Sequence, residues 1–270
     1  MDSQNYTQVK DAIEELYRLT EQNEEIKNLT GHATQHTDLK ERIEFVSSLF
    51  PEQGTTEMNI HLKAMIGRNI CKVIEELSPN RNSNPNTKKL IIPVGIPGSG
   101  KSTLVKPYED DEHTLILDAD YMRERIFNFV FNYFFKTDLP FNTSQSGYTK
   151  NKAIQDIYPS KIIDPLKHLV NFGIYKDENI EEVKSFFHDE KTNNYCQGGT
   201  EGYCPSRVFF VGYLKDNEKK AKAELFFLPT AFDICLLYCK EFNKNFIYDG
   251  PNCEPHFRNN LMIRANRIGD

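Results

Sequence analysis

Gly95-Ile96-Pro97-Gly98-Ser99-Gly100-Lys101-Ser102 has the spacing G-x-x-x-x-G-K-S, and the residues on either side of it decide the fold. Upstream, Lys89-Leu90-Ile91-Ile92-Pro93-Val94 is a short apolar run with the character of a buried strand. Downstream, Thr103-Leu104-Val105-Lys106 can open a helix. Strand, glycine loop and helix in that order form a phosphate-binding loop. Its glycines let consecutive backbone N–H groups point inward at phosphate oxygens, in front of a helix N-terminus. Lys101 then supplies a point charge to the β- and γ-phosphates, and the Ser102 hydroxyl is the expected magnesium ligand. Residues Gly95, Ile96, Pro97, Gly98, Ser99, Gly100, Lys101, Ser102 and Thr103 are therefore expected to hold a nucleotide, ATP or GTP, with Mg²⁺.

The rest of the chain can support such a domain. Its 270 residues suffice for one large α/β domain, or for a core with a smaller appendage. A net charge of −6 argues against non-specific nucleic-acid binding, although a local basic groove remains compatible with it. No apolar run has membrane-spanning length, and Met1-Asp2-Ser3-Gln4-Asn5 is polar, so a soluble, cytoplasmic protein is expected. None of the six cysteines forms a C-x-x-C pair. Cys235 and Cys239 lie one helical turn apart in an apolar segment and read as buried thiols. Cys196 and Cys204, with His188, are too irregularly spaced to read as a zinc site.

Residues 1–86 read as a helical N-terminal region. Val9, Ile13, Leu16, Tyr17 and Leu19 recur at helical spacing; Leu39, Ile43, Phe45, Val46 and Phe50 follow, and a third segment runs from Met58 to Leu77. Such helices serve mostly as packing surfaces and could also engage a protein partner. The proline- and asparagine-rich stretch from Ser78 to Asn86 marks a boundary. Beyond it, residues 87–270 read as a three-layer P-loop kinase-like domain built on a parallel sheet. Thr114–Asp118 is its second strand, Tyr121–Phe135 an aromatic helix, and 142–152 a polar loop. Asp164-Pro165 opens a helix that Gly173 closes. Residues 174–230 break this order: Arg207–Tyr213 and Ala223–Leu228 read as an inserted β-hairpin joined by a turn at Lys215–Lys220. The order resumes with a helix over Ala231–Lys244, a strand over Asn245–Gly250 and a helix over Glu254–Ile268.

Asp118-Ala119-Asp120-Tyr121-Met122-Arg123 follows the second strand, where ligands of open parallel sheets bind. Phosphoryl transfer to a hydroxyl needs a carboxylate to take the proton and a cation to balance phosphoryl charge. Asp120 and Arg123 can supply both, with Lys101 as the third catalytic group and Asp118 beside the magnesium. One of the two aspartates can instead cap the helix that follows. Asp249 ends an apolar strand and reads equally well as a water-bridged magnesium ligand or as an ordinary Asp-Gly turn residue.

Taken together, GIPGSGKS, LDADYMR and NFIYDGPNCEPHFR resemble the zeta-toxin and polynucleotide-kinase-like P-loop phosphotransferases. The resemblance implies a general base at Asp120 and a phosphate- or acceptor-binding arginine at Arg123. It also implies a later-strand motif at Asp249, Asn252 and Arg258, with Arg258 on the nucleotide. It implies transfer of a phosphoryl group from ATP or GTP to a hydroxyl of a small metabolite such as a nucleotide sugar. A 5′-hydroxyl polynucleotide kinase, or a nucleotide-binding interaction module without turnover, stands as the alternative. Members of the group usually continue into two further strands with an arginine-bearing lid, whereas this sequence stops at Asp270. A fragment, a substitute sheet from the 207–228 hairpin, or lost activity would each account for that. Arg207, Arg264 and Arg267 are the arginines available in place of the lid.

Overall fold

A computed structural model describes residues 5–22, 37–50, 60–81, 88–96, 98–122, 125–126, 129, 133, 217–250 and 252–269. Helix α1 spans Tyr6–Gln22, α2 Thr37–Ser48 and α3 Ile60–Leu77. Strand β1 (Leu90–Ile91) leads through the glycine loop into the short α4 (Lys101–Val105), a 3₁₀ turn at Lys106–Tyr108 and β2 (Thr114–Asp118). Helix α5 (Asn217–Glu241), β3 (Asn245–Asp249) and α6 (Pro255–Gly269) complete the described part.

The sheet is parallel and open, with strand order β1-β3-β2. β3 is hydrogen-bonded on both flanks: the Asn245 N–H donates to the His113 carbonyl at 2.8 Å and the Phe246 N–H to the Lys89 carbonyl at 2.8 Å. Its middle residues, Phe246, Ile247 and Tyr248, are buried, as a strand covered on both faces requires. Phe232 of α5 packs against the Phe246 and Tyr248 rings, each at 5.3 Å between centroids. β1 is shorter than its apolar sequence suggests. Only Leu90 and Ile91 pair, both half-buried, and Pro93 just beyond has no N–H to extend a ladder.

Each helix forms for a reason visible in its residues. The side chain of Asn5 caps α1 by accepting from the Gln8 N–H at 2.9 Å. Tyr6, Val9, Ile13 and Leu16 then face inward at helical spacing. α3 is buried almost all round over its first four turns, because α1 and α2 cover one side and α5 and the sheet the other. The apolar core is continuous, running from α1 and α3 through Phe232 and Tyr238 to the strands. Helix α5 ends with Asn243 in the left-handed conformation (φ 49°) and the Lys244 N–H returning to the Cys239 carbonyl at 2.8 Å, a Schellman-type stop. Cys71, Cys235 and Cys239 are buried free thiols. After β2, the described residues 119–122, 125, 126, 129 and 133 are helical, with Met122 and Ile126 buried and Tyr121, Phe129 and Tyr133 half-buried.

One element differs in kind from the expectation. Ala223–Leu228 is not a hairpin strand; it lies inside α5, as do residues 217–220 of the expected turn. A short apolar run looks alike in a buried strand and a buried helix. Here the preceding Glu218-Lys219-Lys220-Ala221-Lys222-Ala223-Glu224 is rich in strong helix formers and tips the choice. Helix α5 continues through Pro229, whose carbonyl accepts from Arg264 at 3.3 Å. The other half of that hairpin, Arg207–Tyr213, lies outside the described residues, as do the 142–152 loop, the Asp164–Gly173 helix, and Cys196 with Cys204.

Candidate functional site

The three strands among the described residues run the same way, so their C-terminal ends share one edge of the sheet. β1 delivers the glycine loop to that edge, β2 delivers Asp118 and Asp120, and β3 delivers Asp249. Asp118 and Asp249 are register partners across the β2–β3 pair. Adjacent parallel strands lie about 4.8 Å apart and paired residues point to the same face, so the two carboxylates are neighbours. Their proximity is felt electrostatically. Partial burial, then the charge of Asp118, with a smaller push from Asp120, raises the Asp249 pKa above the ordinary carboxylate value, while Lys101 opposes the shift.

The loop has the conformation its glycines imply. Gly98 and Gly100 sit at φ 80° and 87°, and Gly100 stands at the N-terminus of α4. At Gly95 a methyl group would come within 2.3 Å of the Ser99 hydroxyl oxygen and 3.2 Å of its Cβ, so any side chain there would force Ser99 to shift. Lys101 arches back over the loop, its ammonium donating to the carbonyls of Gly95 at 2.7 Å and Ile96 at 3.0 Å. Those bonds hold the charge across the mouth of the loop. Ser102 and Thr103 are exposed at the start of α4, and Ile96 is largely exposed. Pro97 lies outside the described residues.

The two aspartates at the C-terminal end of β2 have different surroundings. Asp118 accepts from the Tyr121 N–H at 2.8 Å and is therefore the cap of the helical turn that follows. Asp120, inside that turn and exposed, is near enough to raise the Asp249 pKa. Arg123 lies outside the described residues. Arg258, on the first turns of α6, donates to the carbonyls of Asn252 at 2.8 Å and Cys253 at 2.7 Å, bracing the segment after β3. Arg264 serves packing: it forms a two-pronged ion pair with the buried Asp233 of α5 and ties α6 to that helix. Arg267 joins the same carboxylate at 3.5 Å. Arg207 lies outside the described residues.

Asn252 is the residue of this edge that spacing alone does not single out. It is buried, in the left-handed region at φ 46°, and its amide bridges two strand exits. The sequence signal is an asparagine shortly after a strand and an Asp-Gly, a place where left-handed backbone is tolerated.

No family model, curated protein or solved structure matches this chain. Among the described residues, no group of three or more His, Cys, Asp and Glu side chains is arranged to hold a metal ion. Nor is any described helix long and apolar enough to cross a membrane.

Proposed function

We propose that this chain is a P-loop phosphotransferase, of the kind the zeta-toxin resemblance implies, that moves a phosphoryl group from ATP or GTP to a small-molecule hydroxyl. One observation carries the reading: the glycine loop with its aligned lysine, the Asp118–Asp249 pair and Asp120 all meet at one edge of a parallel sheet. The loop amides and Lys101 bind the β- and γ-phosphates. Magnesium commonly binds through one or two carboxylates together with substrate phosphates. Ser102, Asp249 and Asp118 fit that donor set, and the raised Asp249 pKa marks a place where a cation relieves repulsion. When bound, the ion neutralises charge on the transferring phosphoryl group. Asp120 orients the acceptor hydroxyl and takes its proton. The acceptor oxygen then bonds to the γ-phosphorus as the bond to the nucleoside diphosphate breaks, with Arg123 and Lys101 balancing charge on the phosphoryl oxygens. The net charge of −6 favours a small acceptor such as a nucleotide sugar over a polynucleotide.

The test separates binding from transfer. Lys101→Ala should abolish binding of Mg·ATP, measured by calorimetry, without lowering the melting temperature. Asp120→Asn should keep that affinity and lose about 10²- to 10⁴-fold in transfer rate, the range of a general base. Parent-like binding by the lysine variant would sink the assignment. A second reading, a nucleotide-binding module without turnover, is favoured by Arg258 being engaged with the chain's own carbonyls. Tight binding with no transfer to a panel of hydroxyl acceptors would select it.

A further inference from the structure

We propose that Asn252 is a positioning residue: its side-chain amide fastens the exit of β1 to the exit of β3 and so fixes the phosphate loop relative to Asp249. The inference rests on the phosphotransferase reading for its purpose, though not for its geometry. The Nδ2 group donates to the Pro93 carbonyl at 2.9 Å and to the Tyr248 carbonyl at 3.1 Å. Pro93 stands two residues before Gly95, the first glycine of the loop, and Tyr248 directly precedes Asp249. With β1 pairing over only two residues, this bridge is what extends the β1–β3 contact toward the loop. The two carbonyls also fix which way the amide faces, since a flipped amide would set oxygen against oxygen.

That orientation leaves Oδ1 buried with no hydrogen-bond partner among the described residues, in a residue only 2% exposed. The atom is sealed from solvent, so it does not serve as a ligand contact. An unsatisfied buried acceptor and a left-handed backbone at a non-glycine residue are both unfavourable, and here they coincide. A turn alone does not require them, because glycine would meet the backbone demand and bring no stranded oxygen. A clasp requires the amide. The third strand exit is close by: a methyl placed on Gly250 would lie 3.5 Å from Asn252 Oδ1 and 3.6 Å from the Ala119 methyl, next to Asp118. Arg258 braces the clasp from behind through the Asn252 carbonyl.

Asn252→Gly separates the two roles. It should leave the melting temperature within a few degrees of the parent and weaken Mg·ADP and Mg·ATP binding about tenfold or more. The ¹⁵N order parameters of Val94, Gly95, Ile96 and Gly98 should fall, while those of β3 and α1 stay unchanged. Asn252→Asp keeps the volume and turns both donors into acceptors facing carbonyls, so it should weaken binding at least as much. Parent-like order in the loop amides of folded Asn252→Gly would overturn the clasp. Failure of both variants to fold would overturn it too, by making Asn252 a determinant of the whole fold. If the parent binds no Mg·ATP, the phosphotransferase reading falls, and the order parameters still decide the clasp.

Discussion

The helical layer and the C-terminal edge of the sheet follow opposite rules. In α1 and α3, polar groups that go inside find partners. His61 is 1% exposed, yet its ring meets the Thr20 hydroxyl at 2.9 Å and the Tyr133 hydroxyl at 2.7 Å. Glu75 gathers Tyr6, Lys10 and Arg81. At the sheet edge, like charges are brought together, one buried acceptor is stranded, and glycines hold left-handed backbone. The first region reads as scaffold. The second keeps unfavourable features that a scaffold would be expected to lose, and such features gather where a protein binds or reacts.

The sharpest way to break that contrast is to damage the scaffold and ask whether the edge survives. Phe232→Ala removes a fully buried ring that α5 inserts against Phe246 and Tyr248. It should cost about 3–5 kcal/mol in urea-induced unfolding, the usual penalty for emptying such a site. A cost under about 1 kcal/mol would mean that α5 does not cover the sheet as described.

Lys63 is the exception that tests the rule for the helices. It is 6% exposed between α2 and α3, its one partner among the described residues is the Ser47 hydroxyl at 3.3 Å, and burial pushes its pKa down to about 8. Below pH 8 the native state carries a charge in a poor solvent. Between about pH 8 and the ordinary lysine value of 10.5, the unfolded chain binds more protons than the native one, so stability should rise with pH. Lys63→Met should stabilise the protein at pH 7 by about 1–3 kcal/mol and flatten that slope. A pH-independent parent would place this ammonium in water.

The smallest effect belongs to the edge. The Asp249 pKa is raised in the folded state, so the native chain holds that proton more tightly than the unfolded chain does. The stability this gives is fully present below the unfolded pKa and is lost as pH rises through the folded one. Asp118→Asn removes the repelling charge and keeps a good helix cap. The Asp249 carboxyl, followed by ¹³C NMR, should then titrate at lower pH. Saturating Mg²⁺ should shift the parent in the same direction. An unchanged midpoint in the variant would separate the two side chains that the strand register pairs.

What could be read from the residues was whatever a local pattern determines. The inward positions of α1 and the span of β3 follow from periodicity. The left-handed glycines of the loop follow from the motif. What could not be read depends on partners distant in sequence. Whether Asp118 or Asp120 caps the helix is settled by which carboxylate reaches the Tyr121 N–H. The length of β1 depends on where Pro93 falls against β3. The helical conformation of Ala223–Leu228 is hidden because six apolar-rich residues carry no period, and the helix formers before them have the charge of a turn as well. Asn252 stands out in the sequence only by resemblance, and the carbonyls it joins belong to residues 4 and 159 positions away.

The strand order has a consequence for how the molecule is put together. β3 lies between β1 and β2 but comes after both in the chain, beyond the whole stretch from 119 to 244. Until it arrives, β1 and β2 have no partner between them, and each offers open backbone groups to any passing strand. Closing so long a loop is also slow. During synthesis the sides of β1 and β2 that face β3 therefore wait for a segment still inside the ribosome. A neighbouring molecule's Asn245–Asp249 has the same shape as the chain's own, so crowded nascent chains could exchange that strand. Weak expression, which keeps few unfinished chains side by side while each waits for its own β3, should raise the monomeric yield.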